Sequence, residues 1–218
     1  MRAATGLVEG AGRTRVLESP QPPPTRDLEK LRAASKRCKA CPLWKTGTQT
    51  VFGEGPAKAR ILFVGEQPGD KEDLEGKPFV GPAGRMLNEA LEEAGIDRSE
   101  IYVTNAVKHF KWEPAGKRRL HKKPNSREIA ACRPWLVSEI EALQPEIIVC
   151  LGVTAARSVL QRGVKIGEER GRLMESPLGP RVLVTVHPSS LLRIQDQPDK
   201  EEARKAFLQD LRVLTQAV

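Results

Sequence analysis

Four short runs of the chain carry Ile, Val and Leu without polar alternation: RILFVG (60 to 65), IYVTNAV (101 to 107), EIIVCLG (146 to 152) and RVLVTV (181 to 186). Unbroken apolar runs of this length suit parallel strands covered on both faces. Between them the apolar spacing turns helical. AGRMLNEALEEAG closes on Gly95, NSREIAACRPWLVSEIEAL offers Asn125 or Ser126 as an N-cap, and TAARSVLQRG closes on Gly163. A short helix over RDLEKLRAASKRC precedes these segments, and DKEEARKAFLQDLRVL, acidic in its first turn, ends the chain as another. Strand and helix alternate, so the pattern predicts a three-layer α/β/α domain around a mainly parallel, four-stranded sheet.

In such a sheet ligands sit beyond the carboxyl ends of the strands, where loops converge. Those ends read GEQPGD, NAVKHF, CLGVTA and VHPSS, and they bring Glu66, Gln67, Asp70, Asn105 and His187 toward one edge. The stretch KWEPAGKRRLHKKP (111 to 124) follows the second strand and reads as a basic loop overhanging the same edge. It sets a single histidine, His121, among Lys117, Arg118, Arg119, Lys122 and Lys123. A loop that only attracted phosphates would gain nothing from an imidazole.

Charge and cysteines narrow the chemistry. The 218 residues carry a net charge of +8, and a cationic surface of this kind concentrates a polyanionic partner. Residues 1–25 are polar and proline-rich, a disordered lead-in rather than a signal or membrane segment, which leaves one domain over 26–218 in a cytoplasmic protein without membrane contact. There are four cysteines: Cys38 and Cys41 in CKAC, then Cys132 and Cys150. The CKAC spacing lets two thiolates reach one metal centre, and two more from distant sequence would complete four sulfur ligands. By spacing alone an iron–sulfur cluster, a structural zinc and a pair of ordinary core cysteines all remain open.

Taken together, CKACPLW, VGEQPGDKEDLEGKPFVGPAGRML, YVTNAVKHF, the pair Cys132 and Cys150, and VHPSSLLR resemble the family 4 uracil-DNA glycosylases over about residues 30 to 215. Two departures stand out. Gln67 occupies a position where typical members have a small residue, and KRRLH is an insertion they lack. Both departures look like the UdgX subclass, whose members become covalently joined to uracil-DNA through the histidine of that insertion. The resemblance implies a [4Fe–4S] cluster on Cys38, Cys41, Cys132 and Cys150, and a nucleophile's role for His121.

The resemblance also distributes roles around a flipped uracil. Phe79 stacks on the ring, Asn105 matches N3–H and O4, and His187 donates to O2. Glu66 steadies the cationic sugar or takes a proton from the nucleophile; Gln67 orients the uracil or a water; Asp70 braces the loop at the pocket. A base must leave the stack to reach such a pocket, so single-stranded uracil-DNA is the easier substrate. Phosphate contacts fall to Gly84, Ser189 and Ser190 at two helix starts, to the five basic residues of the insertion, and to Arg193, with Leu191 or Arg193 as the wedge. The expected outcome is a monomer that excises uracil and traps itself on C1′. A turnover glycosylase and a non-catalytic uracil-DNA or single-strand binder are the rival readings.

Overall fold

The computed structural model describes residues 22–217. Most of the tail read over residues 1–25 lies outside that range. Its described end, Pro22–Thr25, runs along a hollow of about 580 Å³ lined by Arg133, Pro134 and Val137.

In chain order the elements are α1 (Leu28–Ser35), β1 (Ile61–Gly65), α2 (Asp70–Glu75), α3 (Pro82–Glu93), β2 (Ile101–Asn105), β3 (Trp112–Ala115), β4 (Arg118–His121), α4 (Ser126–Leu143), β5 (Ile147–Leu151), α5 (Val153–Leu160), α6 (Ile166–Glu169), β6 (Leu173–Met174), β7 (Arg181–Thr185), α7 (Pro188–Leu191) and α8 (Gln197–Thr215). The main sheet runs β2-β1-β5-β7-β6. Its first four strands are parallel and are the four apolar runs; β6 is a fifth strand, antiparallel at the edge. The four-stranded expectation is corrected by these two residues, which are too few to show a period.

Alternate strand side chains divide between two cores. Leu62, Val64, Tyr102, Ile148, Cys150 and Val184 face α1, α4 and α5, where Leu31, Trp135, Leu136 and Val159 cover them. Phe63, Val103, Val149 and Leu183 face α3 and α8, under Leu87, Leu91, Phe207 and Leu211. Burying each such side chain contributes about 1.5–3 kcal/mol, which makes the two-sided coverage the main support of the sheet.

Local chemistry sets the helix ends. Asn125 caps α4, with Glu128 reaching back to close a capping box. Helix α5 stops at Leu160 instead of running to Gly163, because Gln161 turns left-handed at φ 55°. Helix α8 begins at Gln197, since Asp196 accepts from the Asp199 amide and caps it.

The basic insertion is not an open loop. Strands β3 and β4 pair antiparallel from Trp112↔His121 to Ala115↔Arg118, leaving Gly116 and Lys117 as a two-residue turn with Gly116 at φ 59°. Glycine at the first central position is what a tight hairpin turn requires.

Candidate active site

Sheet order reverses between β1 and β5, so the crevice beyond their carboxyl ends is where an α/β sheet offers a ligand site. Glu66 leaves β1 there. Asn105 ends β2 in register with Gly65. His187 follows β7 and caps α7.

Gly65 keeps the floor open. A Cβ at this position would stand 2.3 Å from Asn105 Oδ1 and 2.9 Å from Phe79 Cζ, so any side chain would fill the space between amide and ring. Phe79 itself sits at φ 57°, a backbone region that costs a bulky residue free energy and concentrates at functional sites. Two features hold it. The buried Glu72 carboxylate accepts from the Gly69 and Gly81 amides at 3.1 and 3.0 Å, tying the turns on either side. Gly84 lies so close under Phe79 that a Cβ would meet its carbonyl oxygen at 1.7 Å. Gly84 is therefore a packing glycine, buried in the free protein.

His187 stacks near Phe79, with ring centroids 6.3 Å apart. Burial, reinforced by His121 and Arg193, pushes its imidazole down to about 4, so it is neutral near pH 7. Its Nδ1 accepts the Ser189 amide N–H at 3.2 Å, which assigns the ring proton of the neutral imidazole to Nε2 and makes that atom the donor.

His121, at the end of β4, comes to the same place. Its Nε2 lies 3.6 Å from Glu66 Oε1, and its ring is 6.1 Å from that of Phe110. Burial lowers its pKa, Glu66 opposes that, and Arg193 lowers it further, favouring the neutral imidazole. The other oxygen of Glu66 accepts a hydrogen bond from Thr154.

Several anchors fix the hairpin that carries His121. Gln67 Nε2 donates to the Lys111 and Lys122 carbonyls at 3.1 and 3.2 Å, while its Oε1 accepts the Lys111 amide at 3.2 Å. The Gln67 carboxamide is therefore engaged by the residues at the two ends of the hairpin, a holding role beside the one expected of it toward uracil or a water. Arg119 is engaged likewise. Its guanidinium donates to Asp70 at 2.6 Å, to Asp73 at 2.7 Å and to Thr48 at 3.2 Å, so it clamps the hairpin to α2. Asp70 is accordingly a brace for the hairpin, and no uracil contact is needed to explain it. Trp112 Nε1 donates to the Thr46 carbonyl at 2.9 Å, and Lys111 pairs with Glu128 of α4 at 2.8 Å.

Lys117, Arg118, Lys122 and Lys123 stay exposed, with Lys122 paired to Glu113. Arg193 is exposed beside Ser189, whereas Leu191 is 2% exposed within the core, which excludes it as the wedge. Ser190 Oγ donates to the His187 carbonyl at 2.7 Å, and Ser189 and Ser190 are half-buried.

All four cysteines are unpaired thiols in one core cluster, on the sheet face covered by α1 and α4. Cys38 Sγ accepts from Trp135 Nε1 at 3.3 Å and Cys132 Sγ from the Lys108 amide at 3.1 Å. Burial pushes the Cys132 thiol up to about 12 and raises those of Cys150 and Cys41, so thiolates here need a positively charged group in contact. Among the described residues no three Cys, His, Asp or Glu converge as ligands of a single ion. Four thiols from one core cluster, two of them already accepting N–H hydrogen bonds, are the donor set a multi-iron cluster would use, and the ligands of such a cluster need not meet at a point.

Sequence reasoning missed Thr154, Glu72 and a buried pair, Lys108 and Glu139. The signal for the pair was a lysine inside the apolar run ending β2 and a glutamate on the core stripe of α4.

This sheet, with its crevice at the order reversal and its glycine-floored ring pocket, is that of the Uracil DNA glycosylase superfamily: its sequence profile matches residues 52–212, and the chain belongs to that family. Within it, the chain is 41% identical over 177 residues to the type-4 uracil-DNA glycosylase of Thermotoga maritima, covering 81% of this chain and 86% of that protein. It is 36% identical over 192 residues to the type-4 enzyme of Pyrobaculum aerophilum, covering 85% and 91%. Similarity to the type-5 uracil-DNA glycosylase of the same organism is lower, at 29% over 164 residues. Among the described residues no helix is long and apolar enough to cross a membrane.

Proposed function

We propose that this protein excises uracil from DNA and captures the resulting deoxyribose C1′ on His121, leaving a stable protein–DNA adduct. The observation that carries the reading is the hairpin that holds a neutral imidazole 3.6 Å from Glu66 at the mouth of the Phe79, Asn105 and His187 pocket. Phe79 supports the flipped ring. Asn105 offers one acceptor to N3–H and one donor to O4, and cytosine, with the opposite polarity, leaves both unpaired. As the C1′–N1 bond breaks, its electron pair leaves on the uracil, where His187 Nε2–H donates to O2. A lone pair of the His121 imidazole forms the new bond to C1′. The imidazolium so formed sheds its remaining ring proton to Glu66, after which nothing on the sugar is a good leaving group.

Exposed Lys117, Arg118, Lys122 and Lys123, with Arg193, Ser189 and Ser190, supply sequence-independent phosphate contacts. Single-stranded uracil-DNA is the preferred substrate, and the protein works as a cytoplasmic monomer. The similarity to type-4 enzymes favours a second reading, in which a water captures C1′ and the enzyme turns over. A denaturing gel with uracil-containing single-stranded DNA separates them: a shifted protein–DNA band for capture, free uracil and abasic DNA for turnover, intact DNA for a binder alone.

Cys38, Cys41, Cys132 and Cys150 would hold a [4Fe–4S] cluster, which ties the segment after α1 to α4 and β5. Freshly isolated protein is then brown and carries about four iron and four sulfide per chain, and Cys132→Ala loses both. Stoichiometric zinc from iron-replete cells would overturn this assignment.

Asn105→Asp replaces the amide donor by an acceptor-only carboxylate. Uracil release should fall by about tenfold or more, since a mismatched buried polar group is costly. An unchanged rate and selectivity would remove Asn105 from the pocket.

A further inference from the structure

We infer that Thr154 is a positioning residue that aims the Glu66 carboxylate at His121. This rests on the reading of His121 as the group that captures C1′. Strands β1 and β5 are parallel neighbours with Val64 beside Cys150, so the segments leaving their carboxyl ends start side by side. Glu66 is the first residue beyond β1. Thr154 is the second residue of α5, reached through Gly152 at φ 87°, a backbone angle that turns the chain abruptly from strand into helix.

The two carboxylate oxygens are divided between two tasks. Thr154 Oγ1 donates to Oε2, and Oε1 faces His121 Nε2 at 3.6 Å. Glu66's main chain is pinned separately, its carbonyl accepting the Val107 amide at 3.0 Å. Side-chain rotation is the freedom left to Glu66, and the Thr154 hydroxyl removes it. Thr154 is itself immobile: it is 4% exposed, β-branched, and its carbonyl accepts the Ser158 hydroxyl at 2.8 Å. A threonine in the first turn of a helix with no other task would serve its own backbone. This hydroxyl instead leaves its helix to reach a carboxylate on another strand end.

The 3.6 Å gap is longer than a hydrogen bond, so in the free protein the carboxylate faces the imidazole without bonding to it. A carboxylate free to rotate would meet the imidazolium in few of its orientations. One held by its far oxygen meets it in place, which is the advantage of a pre-positioned base.

Thr154→Val removes the hydroxyl and keeps the shape, and Thr154→Ser keeps the hydroxyl and removes the methyl. In single-turnover crosslinking to uracil-containing single-stranded DNA, Thr154→Val should slow adduct formation about tenfold, the effect of one hydrogen bond to a charged group. Its thermal midpoint and its affinity for a non-hydrolysable uracil-DNA analogue should match the parent, and Thr154→Ser should restore the rate to within about twofold. An unchanged rate in Thr154→Val, or a Thr154→Ser protein as slow as it, overturns the assignment. His121→Ser is run in parallel. Adduct persisting there removes the capture reading and this inference with it, whereas adduct lost there but unaffected in Thr154→Val removes only the role of Thr154.

Discussion

Lys108→Met should destabilise the protein by about 3–5 kcal/mol, the cost of leaving one member of a buried ion pair without its partner. Lys108 is 1% exposed and Glu139 is fully buried. The ammonium donates to Glu139, to Thr104 Oγ1 at 2.6 Å and to the Asn105 carbonyl at 2.8 Å. The carboxylate also accepts from the Tyr102 hydroxyl at 3.1 Å and the Gly53 amide at 3.0 Å. Burial raises the Tyr102 pKa, so its hydroxyl stays a donor. Methionine keeps much of the lysine's volume while removing its charge, so the loss reads the unpaired Glu139 rather than a large cavity. The apparent thermal midpoint should fall by on the order of 10 °C. Adding Glu139→Gln should recover a large part of this, because a neutral carboxamide tolerates burial better than an orphaned carboxylate. Two small and additive losses would mean that the pair does not act as a unit.

That network also ties the site to the sulfurs. Lys108 donates from its backbone to Cys132 and from its side chain to the carbonyl of Asn105. Asn105 and Cys132 are thus held by one buried residue, Asn105 through the lysine's side chain and Cys132 through its backbone amide, so on the proposed reading the loss of the ammonium should disturb uracil selectivity through Asn105.

The apolar runs made four strands legible because β1, β2 and β5 are buried along their whole length and β7 along all but its first residue, the condition that yields a run without alternation. The hairpin was illegible for the opposite reason. Of its eight strand residues only Trp112 and Arg119 are even half-buried, Pro114 interrupts β3, and charge occupies both faces, so no period of two develops. The two-residue spacing around Gly116 was its usable signal.

At the site, strand-end reasoning reached Glu66, Asn105 and His187 because topology alone brings those ends together. Gln67, Asp70 and Arg119 were also found at this edge, yet their hydrogen bonds turn inward to hold the hairpin. A sequence shows that such groups are near one another; it does not show which of them are already satisfied. Thr154 was missed because a threonine opening a helix is ordinary until its partner is known.

His121→Ser should abolish the denaturant-resistant adduct while uracil is still released. On the proposed reading the groups that act on the breaking bond are Phe79, Asn105, His187 and Glu66, and the variant replaces none of them. Serine is smaller than histidine, and the space it leaves beside Glu66 admits a water, which converts capture into hydrolysis and a single-use protein into a turnover enzyme. The hairpin should survive the change, since its anchors are Gln67, Arg119, Trp112 and Lys111 and not the imidazole. Capture as proposed needs a neutral imidazole. Partial desolvation lowers the His121 pKa below its ordinary 6.5 although the side chain is 48% exposed, so on the proposed reading crosslinking should persist at pH values somewhat below those at which a free imidazole becomes charged. Free uracil and crosslinked DNA, quantified together against pH for parent and variant, give both tests. Undiminished crosslinking in His121→Ser excludes it as the nucleophile. Loss of both signals with intact DNA binding would mean that attack by the imidazole drives bond cleavage rather than following it.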